Sequence, residues 1–473
     1  FNHNQMQQTK TTIIFLLSVL AISIMTGCSD DDEIADPKEE NEEPELIEIN
    51  RFIEENMSIY YFWNEEMPDI APEDEEDPEE YFYNLLYSED RWSFITDNYE
   101  ELNKYFSGIE KSPGYSLMPI YLSREDNQVV AFIEYVHENT PAREKGLKRG
   151  DMIYRVDGET MNDENFSELL NRDNLEITLG EFNEDGSITE QSEISLESEE
   201  IDLNPIIARN VIDTLGHKIG YLAYSSFISD YDEELENVLA EFKAEGVTDL
   251  VLDLRYNGGG AISSARKLGD MLVPEGNEGQ LFITEEYNDI LTEAFEKQDD
   301  MSPDSLIFQE NENNLNLEKY YVLTTSSTAS ASEMMIYGLE PYMDVEQIGE
   351  TTHGKYYGSA TFSEEDKHNW AIQPIIMRLI NVDDDLDYSK GLSPDHELDD
   401  LFYYFPYPLG DPEELFMAKA ISVITDEPFI YEEDMQELKS AGRLKTPATD
   451  LRNKLYPGRS RMWTTPPDIP ISE

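Results

Sequence analysis

The run Tyr320-Tyr321-Val322-Leu323 gives way to small hydroxylated residues over 324–328, and then to Met334, Met335, Ile336 and Leu339 at helical spacing. That order predicts a buried strand turning directly into an amphipathic helix, the unit from which α/β folds are built. A Ser at such a junction, here Ser330, presents its hydroxyl at the turn, and the next backbone amide, that of Ala331, points toward whatever reacts there. The ordinary reading of Ser330 with Glu333 is a capping box, because most Ser-x-x-Glu pairs only start helices. A Ser hydroxyl is a weak nucleophile and needs a base within hydrogen-bond reach. Lys355 follows 25 positions later, between Gly354 and the pair Tyr356-Tyr357, a setting compatible with burial. Lys acts as a base only when neutral, and desolvation moves it that way; by itself Lys355 reads as a surface cation.

Strand-like and helix-like runs alternate over 201–430, which predicts an α/β fold. Residues 219–224 read as a strand, 231–245 as an acidic amphipathic helix, and 249–255 as a buried strand ending in Asn257-Gly258-Gly259-Gly260, with a helix beginning near Ala261. Glycines between a strand and a helix can cradle phosphate, but this run lacks the dinucleotide and P-loop spacings and has no Lys after it. Unhindered amides approaching a carbonyl oxygen that gains charge fit better.

Thr328-Ala329-Ser330-Ala331-Ser332-Glu333, with Lys355 closing Gly349-Glu350-Thr351-Thr352-His353-Gly354-Lys355, resembles the tail-specific (C-terminal processing) serine protease family. The resemblance implies a core of the ClpP/crotonase-like α/β kind, with Ser330 as nucleophile and Lys355 as general base. Ser332, 23 positions before Lys355, ranks second as nucleophile. The segment ending Asp253-Leu254-Arg255-Tyr256-Asn257-Gly258-Gly259-Gly260 resembles the family's DLRxNxGG element. It implies that an amide of Gly258 or Gly259 joins that of Ala331 as oxyanion donor, with the choice between the glycines open. Gly391-Leu392-Ser393-Pro394-Asp395 resembles a closing element of the same family. One departure is Ser359, where many members carry a Gln thought to orient the Lys; its hydroxyl substitutes, or another side chain does. The competing enzyme reading is a Ser-His-Asp triad using His353, His368 or His396. Six His without an HExxH pattern, and a single Cys, argue against a metal site, and the implied chemistry needs no cofactor.

Upstream, 111–200 reads as a PDZ domain. Gly114-Tyr115-Ser116-Leu117 resembles the loop whose amides hold a peptide's carboxylate, and residues 129–136 form a strand. Asn139-Thr140-Pro141-Ala142, the run 146–151 and Val156-Asp157-Gly158 match the later helix, turn and hairpin. Such a groove takes an extended peptide as an added strand, so proteins or peptides are the expected partners. Residues 47–110, with Phe52 and Ile53 and the aromatic run 60–63 at core-like spacing, read as an N-terminal helical domain. The expected organisation is therefore multidomain α/β: helical domain 47–110, PDZ domain 111–200, catalytic core 201–430 and a basic tail 431–473.

Residues 1–27 read as a secretory signal whose apolar core is too short to span a bilayer comfortably, and Met25-Thr26-Gly27-Cys28 resembles a lipobox with Cys28 as lipidation site. The acidic linker 28–46 begins Ser29-Asp30-Asp31-Asp32-Glu33, which resembles an export tag of surface lipoproteins in some Gram-negative bacteria. The expected location is a Gram-negative envelope, membrane-anchored through Cys28 at the outer membrane and displayed at the surface. A formal charge of −70, from 103 acidic against 33 basic residues, argues against nucleic acid as a partner. A lone Cys excludes disulfides within the chain. Against the acidic background, Lys439, Arg443, Lys445, Arg452, Lys454, Arg459 and Arg461 form a basic island expected to pack back on an acidic face. The alternative from another class is a catalytically idle, PDZ-containing surface lipoprotein that only binds peptides.

Overall fold

Apolar residues in consecutive positions, as in Leu250-Val251-Leu252, suit strands covered on both faces, and the computed structural model places them so. It describes residues 46–183, 186–297, 305–383, 387–440, 449–456 and 461–467. A six-stranded sheet runs in the order Ile206–Thr214, His217–Tyr224, Asp249–Asp253, Lys319–Thr324, Asp344–Gly349, His396–Glu397. The first pair is an antiparallel hairpin and every later pair is parallel, with Val251 opposite Tyr321 and Lys319 opposite Asp344. Parallel neighbours need crossovers, and the helices Asp232–Glu245, Ile262–Leu272 and Ala331–Tyr337 lie between the strands in sequence. Alternation along the strands divides the interior. Leu250, Leu252, Tyr320 and Val322 join one core, and Val251, Tyr321 and Leu323 join another on the opposite face.

Residues 115–197 form a mainly antiparallel sheet in the order Tyr115–Ser123, Gln128–Val136, Met152–Val156, Asn174–Phe182, Ile188–Glu197, accompanied by the helices Pro141–Glu144 and Phe166–Leu170. One face closes over Leu117, Val129, Ile133 and Phe166, while Met118, Ile120 and Phe132 pack with the central sheet. A second six-stranded sheet runs Gly259–Ala261, Arg461–Thr464, Tyr357–Ala360, Ile375–Ile380, Leu281–Tyr287, Ser305–Ile307. It joins the end of the glycine loop to the strand that follows Lys355, through a strand from the tail.

The N-terminal helices Leu46–Tyr60 and Pro78–Leu85 do not close a core of their own. The second is well started, with Pro78 at its first turn and the Asp77 side chain accepting from Glu79 N–H. Yet Ile49, Phe52, Ile53, Met57, Tyr81 and Phe82 are buried in the same cluster as Leu268, Met334 and Ile376. Helices of 15 and 8 residues offer one apolar stripe each, and a stripe needs another layer to cover it. Alongside these helices stand two short strands, Phe94–Thr96, paired with Ala371–Gln373, and Ile109–Ser112 at the end of the region, paired with Glu199–Asp202. Residues 44–473 accordingly cluster as one compact unit.

Cys28, the signal segment, the acidic linker up to residue 45, and Arg443, Lys445 and Arg459 lie outside the described residues. Among the described residues no helix is long and apolar enough to cross a membrane.

Candidate active site

The strand Lys319–Thr324 is buried almost throughout and stops at the hydroxyl cluster. Thr325 Oγ1 donates to the Arg255 carbonyl at 2.5 Å and Thr328 Oγ1 to the Leu254 carbonyl at 2.8 Å. The short hydroxylated side chains thus satisfy carbonyls at the end of the neighbouring strand Asp249–Asp253, where no ladder partner remains. The chain then turns through Ser330 at φ 68° and ψ −120°. A non-glycine residue pays roughly 1–3 kcal/mol for such a conformation, which persists only where the surroundings enforce it. Ser330 is fully buried, and its Oγ makes no hydrogen bond.

Glu333, in the first turn of helix Ala331–Tyr337, is what enforces it. Its Oε2 accepts from Ser330 N–H at 2.8 Å and from Lys355 N–H at 2.9 Å. Its Oε1 accepts from Gly354 N–H at 2.6 Å and from Thr352 Oγ1 at 2.6 Å. A single carboxylate oxygen therefore ties the backbone of Ser330 to that of Lys355 across the 25-residue gap between them. Burial pushes the Glu333 carboxyl up to about 7 even though its four donors pull the other way. The backbone amides can only donate, and the Thr352 hydroxyl itself accepts from Leu392 N–H at 2.7 Å, so all four hydrogens point at Glu333 and the ionised form fits.

Lys355 is 1 % exposed. Burial brings its ammonium down from 10.5 to about 7, the neighbouring Arg461 charge adds to the fall, and Asp90 and Glu333 oppose it. Tyr356 and Tyr357 stack at 4.6 Å beside it in sequence, and Trp63 and Trp92 lie 4.9 and 5.1 Å from the Tyr357 ring. The near-complete burial of Lys355 is what the sequence around it suggested.

The glycine loop is tied to the same turn. Asn257 Nδ2 donates to the Tyr224 carbonyl at 2.9 Å, and its Oδ1 accepts from Gly259 N–H at 2.8 Å. The Asn257 carbonyl accepts from Ala329 N–H at 3.2 Å and from Ser332 Oγ at 3.1 Å. Gly259 is held at φ 112°, where a Cβ would stand 2.7 Å from Ser330 Cβ and 2.3 Å from the Arg461 carbonyl oxygen. Among the described residues the N–H groups of Gly258 and Ala331 donate no hydrogen bond, whereas that of Gly259 is occupied by Asn257. Ser332, the rival nucleophile, is likewise spent on the Asn257 carbonyl.

Ser359 lies on the strand Tyr357–Ala360, where its hydroxyl donates to the Met462 carbonyl at 2.8 Å and accepts from Gln373 Nε2 at 3.0 Å. Neither the Lys355 amine nor any of the three candidate imidazoles hydrogen-bonds to Ser330 Oγ. His353 lies on the Lys355 segment with its backbone N–H on the Thr328 carbonyl, its ring pKa lowered by burial and by Lys355. His368 packs edge-on to Phe52, and His396 Nε2 lies 3.2 Å from Glu346 Oε2. Among the described residues no three His, Cys, Asp or Glu side chains gather as metal ligands.

Farther out, Gly114 turns at φ 90° where a Cβ would meet Thr140, Ser116 Oγ donates to Glu134 Oε2 at 2.7 Å, and Leu117 N–H donates to Tyr456 OH at 2.8 Å. A cavity of about 300 Å³ is lined by Tyr115, Ser116 and Leu117 and also by Ser226 and Gly258, so the 114–117 loop and the glycine loop share one hollow.

Residues 218–398 match the model of peptidase family S41, and residues 48–94 that of the peptidase S41 N-terminal domain. A probable CtpA-like serine protease of Staphylococcus aureus is 24% identical over 266 residues, covering 55% of this chain and 49% of that protein. The carboxy-terminal processing protease CtpA of Bacillus subtilis is 23% identical over 261 residues, covering 54% and 51%. The chain thus spans about half the length of the curated relatives it matches. The crystal structure of a putative S41 protease from Bacteroides fragilis aligns with a TM-score of 0.68 at 28% identity, over 79% of this chain and 97% of that one.

Proposed function

The chain belongs to the tail-specific (C-terminal processing) serine protease family, peptidase family S41, and we propose that it cleaves internal peptide bonds of protein or peptide substrates through a Ser330–Lys355 dyad. The observation that carries this reading is the Glu333 carboxylate, whose one oxygen holds the amides of both residues. Its companion is a buried Lys355 whose pKa falls to about 7, so that a working share is neutral.

In the proposed sequence the neutral Lys355 amine takes the Ser330 proton as Oγ attacks the scissile carbonyl carbon. The carbonyl oxygen becomes an anion between the amides of Gly258 and Ala331. Gly258 is preferred to Gly259 because its N–H is uncommitted. Donors already in place need no reorganisation as that charge forms. The tetrahedral intermediate collapses, Lys355 returns the proton to the departing amine, and Ser330 keeps the acyl group. Water, giving its proton to Lys355, then attacks the ester, and Lys355 passes that proton to Ser330 Oγ as it leaves, releasing the new carboxyl group and restoring the dyad. Acyl transfer by this route draws on no cofactor. Ser359 can serve Lys355 only as an acceptor, since its hydrogen is committed to Met462.

We read residues 111–200 as a PDZ domain that recruits or gates, with 114–117 receiving the peptide. What supports this is the free edge of Tyr115–Ser123, which heads its sheet with no strand beyond it among the described residues. Lipidation of Cys28 and an outer-membrane, surface-exposed position rest on the sequence; partition into the membrane fraction that survives Cys28→Ala would overturn them.

The deciding measurement is hydrolysis of an unfolded protein by the fragment beginning after Cys28, beside Ser330→Ala and Lys355→Ala. Loss in both variants with unchanged circular dichroism is the expected result. Activity persisting in Lys355→Ala would remove the Lys base. Peptide binding without hydrolysis in any form would favour an idle binding protein.

A further inference from the structure

Residues 449–456 and 461–464 belong to the tail that the sequence expected only to pack back on an acidic face. Helix Thr449–Leu455 carries Leu451 and Leu455 one turn apart and so on one face. Both are buried, in the cluster that holds Leu117, Leu169 and Leu170. The helix packs against helix Phe166–Leu170 and against strand Tyr115–Ser123, whose edge takes the peptide in the reading above. Arg452 beside them is buried against the carboxylate of Glu134, with Nη2 to Oε2 at 3.0 Å. Tyr456, the residue after the helix, takes the N–H of Leu117 on its hydroxyl. That amide lies on the unpaired edge of the sheet, where a peptide adding itself as a strand draws its backbone hydrogen bonds.

The tail then reaches the chemistry. Arg461–Thr464 is inserted between Gly259–Ala261 and Tyr357–Ala360, parallel to both. Arg461 N–H donates to the Gly258 carbonyl at 3.0 Å, and the Arg461 carbonyl oxygen is pressed against Gly259 beside Ser330. Its guanidinium lies 4.3 Å from the Phe94 ring centre and 4.6 Å from that of Tyr105. In this state Ser330 is 0 % and Lys355 1 % exposed. A peptide bond of a protein substrate cannot meet a nucleophile sealed in this way.

We propose that residues 449–456 and 461–464 are a built-in competitor that keeps the enzyme latent, filling the peptide groove and the strand position beside Ser330 until a substrate peptide displaces them. The proposal rests on the protease reading and on the peptide-binding reading of 111–200. It also sets the chemistry of the displacing peptide. Glu134 is fully buried, and a buried carboxylate stripped of its cation is strongly penalised. The incoming peptide therefore brings an Arg or Lys to replace Arg452, together with apolar residues for the site of Leu451 and Leu455.

The test uses the full chain carrying Ser330→Ala, with and without Leu451→Asp and Leu455→Asp, and a fluorescent peptide with the sequence of residues 449–456. An occupied groove taxes the apparent affinity by its free fraction, so roughly tenfold tighter binding to the tail-released form is expected. A peptide with Glu in place of the arginine is expected to bind poorly. Equal affinity of the first peptide for both proteins overturns the proposal. In proteins with Ser330 intact, Tyr456→Phe keeps the ring and removes only the hydroxyl on Leu117. It should raise kcat/KM several-fold with the melting temperature unchanged, and it decides the matter if the double variant fails to fold. An unchanged kcat/KM in a folded Tyr456→Phe overturns the latch. If no form hydrolyses any substrate, the protease reading fails, while the binding comparison still decides whether the tail fills the groove.

Discussion

Glu333 shows how far one buried side chain can govern a site. A glutamine there is nearly isosteric, but its amide nitrogen would face hydrogens where an oxygen now accepts them. At least one oxygen's pair of donors, either Ser330 and Lys355 or Gly354 and Thr352, would lose its acceptor. Each unmet buried group costs about 1–3 kcal/mol, so Glu333→Gln should lower the urea stability by about 2 kcal/mol or more. It should also cut kcat while leaving KM nearly unchanged, because the geometry of attack is disturbed and the peptide site is not. Wild-type turnover in that variant would sink the clamp. The pH dependence follows from the same pair. The working form needs Lys355 neutral and Glu333 ionised, and burial brings both groups to about 7. Turnover should therefore climb with pH through about 7 and level off above it. At pH 5.5 it should be lower by about 30-fold or more, as a single required deprotonation dictates, and a flat profile from pH 5.5 to 8.5 would contradict it. For stability the sign is opposite to that of an ion pair. The folded pKa of Lys355 lies below its ordinary 10.5, so its burial cost is fully present below pH 7 and fades as pH rises toward 10.5. Lys355→Met should accordingly stabilise the fold most on the acid side of 7.

At the scale of elements, the glycine loop and the strand-to-helix turn are two halves of one device, and Gly259 is where they touch. Alanine at that position would be strained at φ 112° and would drive its Cβ against the Arg461 carbonyl and Ser330 Cβ. Neither obstacle is the far end of a flexible side chain. Gly259→Ala should destabilise by about 2 kcal/mol or more and abolish hydrolysis, read by thermal unfolding and substrate cleavage; a folded, active variant would mean the loop is looser than drawn. These elements were largely legible in the sequence. The strand through Tyr320–Leu323, the helix after Ser330 and the strand leading to Asn257 announced themselves by local apolar pattern and punctuation, which chain-local physics controls. What was hidden is non-local. Nothing in Arg461-Met462-Trp463-Thr464 says that it pairs with residues some 100 and 200 positions earlier. The choice of Gly258 over Gly259 depends on where the Asn257 side chain turns. The cap signature of Glu333 concealed its hold on Thr352 and Gly354. An amphipathic stripe such as Phe52 and Ile53 shows that a helix is covered without saying by what.

Over the whole molecule, a chain of net charge −70 keeps some of its few cations inside, and there they join parts that are distant in sequence. Arg255 is fully buried, with Nη2 2.7 Å from Asp253 and Nη1 3.0 Å from Glu414 and 3.4 Å from Asp400. Arg149, in the turn before strand Met152–Val156, reaches the same Glu414 at 2.9 Å and donates to Tyr256 OH at 2.8 Å. Burial pushes the Asp253 carboxyl up, yet Arg255 and its hydrogen bonds overcome that and hold it below its ordinary value. Asp400 stays raised by burial despite the two arginines. Replacing such a cluster entirely with apolar groups is often neutral, but removing one partner strands the others. Arg255→Met leaves Asp253, Asp400 and Glu414 with Arg149, which pairs with Glu414, and should cost about 3–5 kcal/mol by urea unfolding. Arg51→Ala breaks a pair whose side chains are 54% and 55% exposed and should shift stability by under about 1 kcal/mol. The Arg255 carbonyl also receives the Thr325 hydroxyl two residues before Asn257. Activity should fall further than the unfolded fraction explains, since the side-chain ties of Arg255 to Asp253, Asp400 and Glu414, which hold the segment leading into the glycine loop, are gone before the domain melts. An Arg255→Met protein within 1 kcal/mol of wild type, or one whose activity tracks its folded fraction, would show that the cluster is held by packing and that its charges are incidental to the site.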